Sequence, residues 1–346
     1  MIGQNSLRYS LMSKERLHYI DIAKGLLIIF LCFHHFPQAM AICGMSMEYK
    51  EMLHDSWSIY YMVFFMQAFF LITGYCTNWQ KEFKPFLISN VKMLLIPAVC
   101  YVFLTQFFLS LFFGGWQRFY LIFFHGFGFW FLWSLFTCKI AYWLMLRLLH
   151  NRVCIFFLMI VICFAGVYCK SHVWFIPNFA YWKQSMVILI FLFIGHQMKL
   201  HAPSFENKHY ILSGGLFILS LIILNIADIH IPFMTAFIDV SIMEVPLYLF
   251  LAITGTLTLF GICRWIGHNY FLEDLGKLSL IIYGVHSVVL KILVKYVNQS
   301  SVLNMETSFD AWVFYFITCV FTLFISYVIA KNISKCEYLK LLTGKW

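Results

Sequence analysis

An acid, a lysine and two adjacent histidines lie within one apolar stretch near the start of the chain, "DIAKGLLIIFLCFHHFP", residues 21–37. On a helix each residue turns about 100°, so Lys24 and His35 share a face and lie roughly 16 Å apart along the axis. Asp21 lies one turn before Lys24, close enough to pair with it, whereas His34 points about 100° away from His35. A titratable group in hydrocarbon usually faces a cavity, and an imidazole accepts a proton at neutral pH as a general base must. The stretch is therefore a candidate for acid–base catalysis; the alternative is that the histidines are neutral, hydrogen-bonded packing residues.

A metal site at the histidine pair is disfavoured. Adjacent histidines diverge on a helix, and no carboxylate or cysteine stands at ligand spacing from them. The cysteines show no paired spacing either, so we predict neither disulfides nor a metal site. Pro37 lacks a backbone donor and is expected to bend or end the helix just beyond the pair.

Two further apolar stretches carry polar side chains. In "FFMQAFFLITGYCTN", residues 64–78, the small pair Thr73 and Gly74 allows a close helix approach and Tyr75 offers a hydroxyl. In "LEDLGKLSLIIYGVHSVVLK", residues 272–291, Tyr283 and His286 stand three apart and share a helix face. Each of these residues is also compatible with a simple interhelical hydrogen bond.

Composition places all of these residues inside a membrane protein. Hydrophobic residues make up 62% of the 346 residues and charged residues only 11%, too little polar surface to cover a soluble globule. We predict an all-α fold, a polytopic integral membrane protein with about ten transmembrane helices, because apolar segments long enough to cross roughly 30 Å of hydrocarbon recur throughout. The fifth and sixth are short enough to be re-entrant. The predicted spans cover residues 20–40, 57–76, 91–113, 128–148, 153–169, 185–200, 209–229, 244–263, 278–297 and 311–331.

The basic residues act as topology signals. If both termini are cytoplasmic, seventeen of the 24 lysines and arginines fall in cytoplasmic segments or at their edges, as the positive-inside rule requires. They are scattered rather than clustered, so no nucleic acid partner is expected. We expect a single membrane-embedded domain over residues 1–346 with no fused soluble domain.

In order along the chain, several stretches resemble the acyltransferase 3 family of bacterial membrane proteins. "YIDIAKG" followed after ten residues by a histidine resembles the family's opening pattern, which selects Lys24 as its basic position and His35, not His34, as its functional histidine. The later stretches are "FFMQAFFLITGY", "FKPFLISNVKMLLIPA", "FWFLWSLF" at 129–136, "FLFIGHQMK" at 191–199 and "LGKLSLIIYGVH" at 275–286. The chain departs from the pattern at Thr73, where serine is usual, at Gln67, where proline is common, and at Lys24, where arginine is frequent and would offer a bidentate fork.

The resemblance implies an O-acyltransferase of the bacterial inner membrane that moves an acyl group, expected to be acetyl, from cytoplasmic acyl-CoA to a hydroxyl. Acetyl-CoA is expected to be the donor substrate, and neither a permanently bound cofactor nor a metal is expected. The expected partners are membrane lipid and a glycan or glycolipid acceptor. The implied catalytic residues are His35, which acts as the base, Lys24, which is the family's basic position, and Asp21, which pairs with Lys24 and keeps it in place. The expected substrate-binding residues are Thr73, Tyr75, Tyr283 and His286. The residues expected near the CoA phosphates are Lys81, Lys84 and Lys92, because all three are assigned to the cytoplasmic side; the alternative is that they are ordinary positive-inside charge.

Two other classes fit a protein with ten spans and buried polar residues. One is a transporter or exporter of glycans or lipids, and the other is a membrane scaffold without chemistry. Many transporters show internal repeats and a midplane site formed by broken helices. The sequence shows no evident repeat, which favours the acyltransferase.

Overall fold

The computed structural model describes residues 17–42, 59–114, 129–173, 178–201, 206–234, 238–299 and 308–344. Within these ranges ten helical segments are long and apolar enough to cross a membrane, which confirms the predicted fold class. The fifth and sixth segments have 21 and 22 residues, so both are long enough to cross. The ten spans are His18–Met40, Ile59–Cys76, Phe83–Phe113, Trp130–Leu148, Arg152–His172, Phe179–Leu200, Asn207–Ile226, Ile242–Ile266, Ser279–Val297 and Phe309–Lys335.

Several spans are built from more than one helical piece. The first consists of His18–His34 and Phe36–Ile42, the second of Ile59–Met62 and Phe65–Cys76, and the third of Phe83–Asn90, a π-helical turn Val91–Leu95 and Ile96–Phe113. Short 3₁₀ turns, Phe179–Tyr181 and Ile242–Glu244, lead into the helices Trp182–Leu200 and Val245–Ile266. The helices of the ninth and tenth spans are Ser279–Gln299 and Ser308–Lys335. Outside the spans lie the short helix Tyr270–Lys277, the paired strands Phe233–Met234 and Ile238–Asp239, and the C-terminal turns Glu337–Leu339 and Lys340–Thr343.

The break in the first span follows from Pro37. A proline has no N–H to donate to the carbonyl four residues earlier, which here is Phe33. The helix accordingly ends at His34, and His35 occupies a turn before the chain resumes as a helix at Phe36. The hydroxyl of Tyr315 in the tenth span donates to the Phe33 carbonyl at 3.3 Å, so the carbonyl is satisfied. The predicted break near Pro37 is present, but it lies at His35, within the histidine pair rather than just beyond it.

Glycines let the second and sixth spans cross at backbone contact. A Cβ at Gly74 would lie 2.2 Å from the Leu192 carbonyl oxygen, and one at Gly195 would lie 1.9 Å from that of Leu71. The close helix approach predicted at Gly74 is confirmed. Small residues produce such crossings in membranes because dispersion contacts, rather than water exclusion, hold the helices together.

The first span makes a similar contact with the short helix Tyr270–Lys277. A Cβ at Gly25 would lie 2.2 Å from the Leu272 carbonyl oxygen, and one at Gly276 would lie 1.9 Å from the backbone oxygen of Asp21. The backbone around Asp21 is therefore fixed against an element that directly precedes the ninth span.

The start of the first span and the end of the tenth span lie on the same side of the membrane bundle. On the short helix, Glu273 contacts His18 at the start of the first span, and Asp274 contacts Lys331 near the end of the tenth span. The hydroxyl of Tyr327 also donates to the Asp274 carboxylate at 2.7 Å. An even number of crossings is consistent with this arrangement. That this side is cytoplasmic remains a prediction.

Candidate active site

The turn in the first span brings His35 against the ninth span. The imidazole rings of His35 and His286 lie 5.0 Å apart between centroids. His286 is only 2% exposed, whereas His35 is partly exposed. Two titratable rings from opposite ends of the sequence therefore form one site.

The hydrogen bonds of His286 define its tautomer. Its Nδ1 lies 2.8 Å from the Tyr283 carbonyl oxygen and 3.2 Å from that of Ile282. A carbonyl oxygen only accepts, so Nδ1 carries the proton and Nε2 carries the lone pair. Nε2 is buried and has no hydrogen-bond partner within the described ranges. A buried acceptor without a partner is costly, and a substrate hydroxyl or ammonium group would satisfy it.

Gln38 orients His35 in the same way. The Nδ1 of His35 donates to the Gln38 Oε1 at 3.1 Å, which leaves Nε2 as the basic nitrogen. A base held in one tautomer by a third group is the arrangement used in nucleophilic and acid–base sites. Sequence reasoning did not select Gln38, although its position three residues after His35 was a usable signal.

His34 has different surroundings. Its ring lies 5.3 Å from the ring of Phe65 in the second span, while its own neighbour His35 lies 5.1 Å away. The divergence expected from helix geometry thus places the two histidines against different spans.

Tyr283 extends the site along the ninth span. Its ring lies 6.1 Å from that of His286 and packs between Phe129 at 5.7 Å and Phe131 at 5.5 Å. The hydroxyl oxygen is buried beside the Phe131 backbone and makes no well-formed hydrogen bond in the described part of the chain. The structure therefore brings the predicted residues His35, Tyr283 and His286 together.

A second cluster is cationic and lies nearer the chain ends. The Lys24 Nζ and the Asp21 Oδ1 are 3.6 Å apart, and Asp21 is buried, so the predicted pairing is confirmed. The charges of Lys24, Lys139 and Lys199 act on the sulfur of Cys76, at the end of the second span, where the negative charge of Asp21 opposes them. Lysines of the first, fourth and sixth spans thus place positive charge near the end of the second span.

Lys139 is the most unusual member of this cluster, and sequence reasoning did not assign it a role. It is 5% exposed, and its Nζ lies 5.8 Å from the centre of the Phe86 ring. It makes no hydrogen bond or ion pair with any residue that the structure describes. An ionisable side chain inside a span marks a functional site by default, and the signal was present in the sequence as a lysine in the middle of an apolar run.

Two predicted substrate-binding residues lie away from the histidines. The Thr73 hydroxyl donates to the Phe69 carbonyl of its own helix at 2.8 Å, and Tyr75 hydrogen-bonds Tyr19. Tyr19 precedes His35 by sixteen residues, or roughly 24 Å of helix. Thr73 and Tyr75 therefore belong to the end that holds Lys24, and their substrate-binding role remains a prediction.

The three predicted phosphate-binding lysines, Lys81, Lys84 and Lys92, are all exposed. The Lys81 backbone carbonyl accepts from the Trp143 Nε1 at 2.9 Å, and its charge acts on Lys139. Lys84 lies at the start of the third span and Lys92 on its π-helical turn. Lys81 thus adjoins the cationic cluster, and the phosphate-binding role of all three remains a prediction.

Comparison with known families identifies the chain. The family model described as "Acyltransferase domain" matches residues 17–331, which is nearly the whole chain and includes the first nine spans and most of the tenth. The chain belongs to the acyltransferase 3 family. It is therefore a membrane acyltransferase, as the sequence stretches indicated. No curated protein and no solved structure shows a significant match.

In an acyltransferase, the histidine pair can perform proton transfer. Both rings have their Nδ1 hydrogen-bonded, so each presents an unprotonated Nε2. One nitrogen can remove the proton from an attacking hydroxyl, and the other can accept a hydrogen bond from a second hydroxyl of the same substrate. The cationic cluster can bind an anionic portion of a substrate.

Proposed function

We propose that this acyltransferase moves an acetyl group from cytoplasmic acetyl-CoA to a hydroxyl of a cell-surface glycan or a lipid-linked sugar, in the bacterial inner membrane. The observation that carries the proposal is the His35–His286 pair, with ring centroids 5.0 Å apart and both Nδ1 atoms hydrogen-bonded. The family supplies the reaction class. Acetyl as the group and a glycan as the acceptor rest on the sequence resemblance.

The thioester is already activated, so the protein needs only to position it, deprotonate the acceptor and stabilise the oxyanion. The His35 Nε2 removes the proton as the acceptor oxygen attacks the thioester carbonyl. The C–S bond then breaks, and the imidazolium returns the proton to the departing CoA thiolate. The products are the O-acetyl ester and CoA.

His286 and Tyr283 orient the reacting groups. The His286 Nε2 accepts a hydrogen bond from a second hydroxyl of the acceptor, which satisfies a buried nitrogen that otherwise lacks a partner among the described residues. The Tyr283 hydroxyl can donate to the carbonyl oxygen as negative charge develops there. Lys291, whose charge acts on both imidazoles, adds positive potential on this side of the site.

The donor enters from the opposite end. Its phosphates lie among Lys24, Lys139 and Lys81, where they offset the cost of the buried Lys139 charge. The pantetheine arm then follows the face of the first span that leads from Lys24 to His35, a distance of roughly 16 Å. This path accounts for the separation of the cationic cluster from the histidines.

Direct binding distinguishes this proposal from a transporter or a scaffold. We expect purified protein to bind acetyl-CoA saturably and to hydrolyse it slowly without an acceptor. The acceptor is then found by mass spectrometry of cell-surface glycans from a strain that lacks the protein, which should lose one acetyl mass. Absence of both saturable binding and any acetyl loss would contradict the proposal.

A further inference from the structure

A third polar cluster, distinct from the histidine pair and from the cationic cluster, lies on the side of the bundle where the first span begins. It consists of His18, His268 and Glu273. His18 begins the first span, His268 lies in the connection after the eighth span, and Glu273 lies on the short helix Tyr270–Lys277. Because 255 residues separate His18 from Glu273, no sequence spacing could reveal the cluster.

The three side chains present their ligand atoms to one another. The His18 Nδ1 lies 2.9 Å from the Glu273 Oε2, and the His268 Nδ1 lies 3.3 Å from the Glu273 Oε1. The two imidazole rings are 3.9 Å apart, and one ligand atom from each residue lies within 4.8 Å of the others. Bonds of about 2.0–2.1 Å place the ligand atoms of a tetrahedral zinc site roughly 3.3 Å apart. The two histidine–glutamate distances are close to this value, and side-chain rotation has to close the remaining spacing, which is at most 4.8 Å.

The exposure of the three residues also suits a metal ion. Glu273 is 3% exposed, whereas His268 is 65% exposed. An ion can therefore reach the site from the side of the accessible His268 imidazole, while the carboxylate stays buried. The Lys277 Nζ is 3.7 Å from the Glu273 Oε2, but it ends a flexible, partly exposed side chain that can move aside.

We propose that His18, His268 and Glu273 bind a divalent transition metal ion of the Zn²⁺ type. Two imidazole nitrogens and one carboxylate oxygen form a ligand set that zinc accepts, with a fourth position left for water. The ion joins the start of the first span to the short helix whose Gly276 contacts the Asp21 backbone. It therefore stabilises the placement of Asp21 and Lys24 without taking part in acyl transfer.

The test uses full-length protein in detergent, purified through a tag that contains no histidine. Co²⁺ serves as the probe, followed by its visible absorption, and Zn²⁺ as the competitor. We expect about one equivalent per chain, with binding weakened at least about tenfold in His268→Ala and in Glu273→Gln, because even outer-shell changes have effects of that size. The matched control is His150→Ala, which removes another exposed histidine and should bind like the unchanged protein.

Two outcomes would overturn the proposal. One is that the unchanged protein binds no more Co²⁺ than His268→Ala. The other is that His150→Ala weakens binding as much as His268→Ala, which would indicate general surface adsorption. Because His268 is largely exposed, its replacement should leave the fold intact even if Glu273→Gln does not. The measurement does not involve acyl transfer, so its result is independent of the proposed reaction.

Discussion

Replacing Gly276 by alanine should separate the first span from the short helix. The new Cβ would lie 1.9 Å from the Asp21 carbonyl oxygen, and ordinary contact begins near 3.4 Å. The two backbones would therefore have to move apart by about 1.5 Å. The atom that blocks the methyl group belongs to the backbone of a helix, so no rotamer change can relieve the contact.

The expected effect is larger on catalysis than on folding. Overpacking of this kind costs about 1–3 kcal/mol of stability. A displacement of about 1 Å at a distance from the chemistry can cost on the order of 100-fold in rate, and this displacement acts on the helix that carries Lys24 and leads to His35. We expect Gly276→Ala to insert into membranes and to lose about 100-fold in acetyl transfer.

The assay is transfer of radiolabelled acetyl from acetyl-CoA to acceptors in isolated membranes, normalised to the amount of the protein. Gly215→Ala is the matched control, since nothing lies within 4 Å of a Cβ at Gly215, which also lies in a span. The control should retain the original rate. A Gly276→Ala protein with normal transfer at equal abundance would refute the proposed role of the close contact.

Three further predictions concern single side chains. Lys139→Met should raise the KM for acetyl-CoA roughly tenfold, the equivalent of about 1.5 kcal/mol for one charged hydrogen bond, with Lys139→Arg closer to normal; an unchanged KM would exclude Lys139 from donor binding. Gln38→Ala should lower kcat by about 2- to 12-fold, since a neutral hydrogen bond contributes about 0.5–1.5 kcal/mol, and a loss as large as that of His35→Ala would contradict a purely orienting role. Tyr315→Phe removes the hydrogen bond from the Tyr315 hydroxyl to the Phe33 carbonyl and should lower stability by about 0.5–1.5 kcal/mol, seen as faster thermal inactivation; unchanged inactivation would contradict a stabilising role for this bond.

The positions of the spans, and the residues that share one face within a span, were predictable from the sequence. Apolar length identified the ten spans found among the described residues, and the spacing of Asp21 and Lys24 identified their contact. Pro37 predicted a break in the first span, although the break lies one residue earlier than expected, at His35. Each of these depends on a single helix, whose geometry fixes which residues share a face.

Contacts between helices were not predictable in this way. Helical phase does not determine which span a given helix face contacts. Neither the His35–His286 contact nor the burial of Lys139 beside Phe86 could therefore be derived from spacing. Thr73 and Tyr75 illustrate the same limit, because spacing did not indicate that the Tyr75 side chain hydrogen-bonds Tyr19 or that the Thr73 hydroxyl donates within its own helix. Their substrate-binding role remains a prediction.

The most direct test of the central claim compares the two adjacent histidines in the membrane transfer assay. General acid–base catalysis contributes about 10²- to 10⁴-fold, so His35→Ala should lose at least about 100-fold in acetyl transfer at normal abundance. His34→Ala, whose ring faces Phe65 instead, should lose only a few-fold by weakening the packing. Equal transfer by His35→Ala and the unchanged protein, or a larger loss in His34→Ala, would contradict the assignment of His35 as the base.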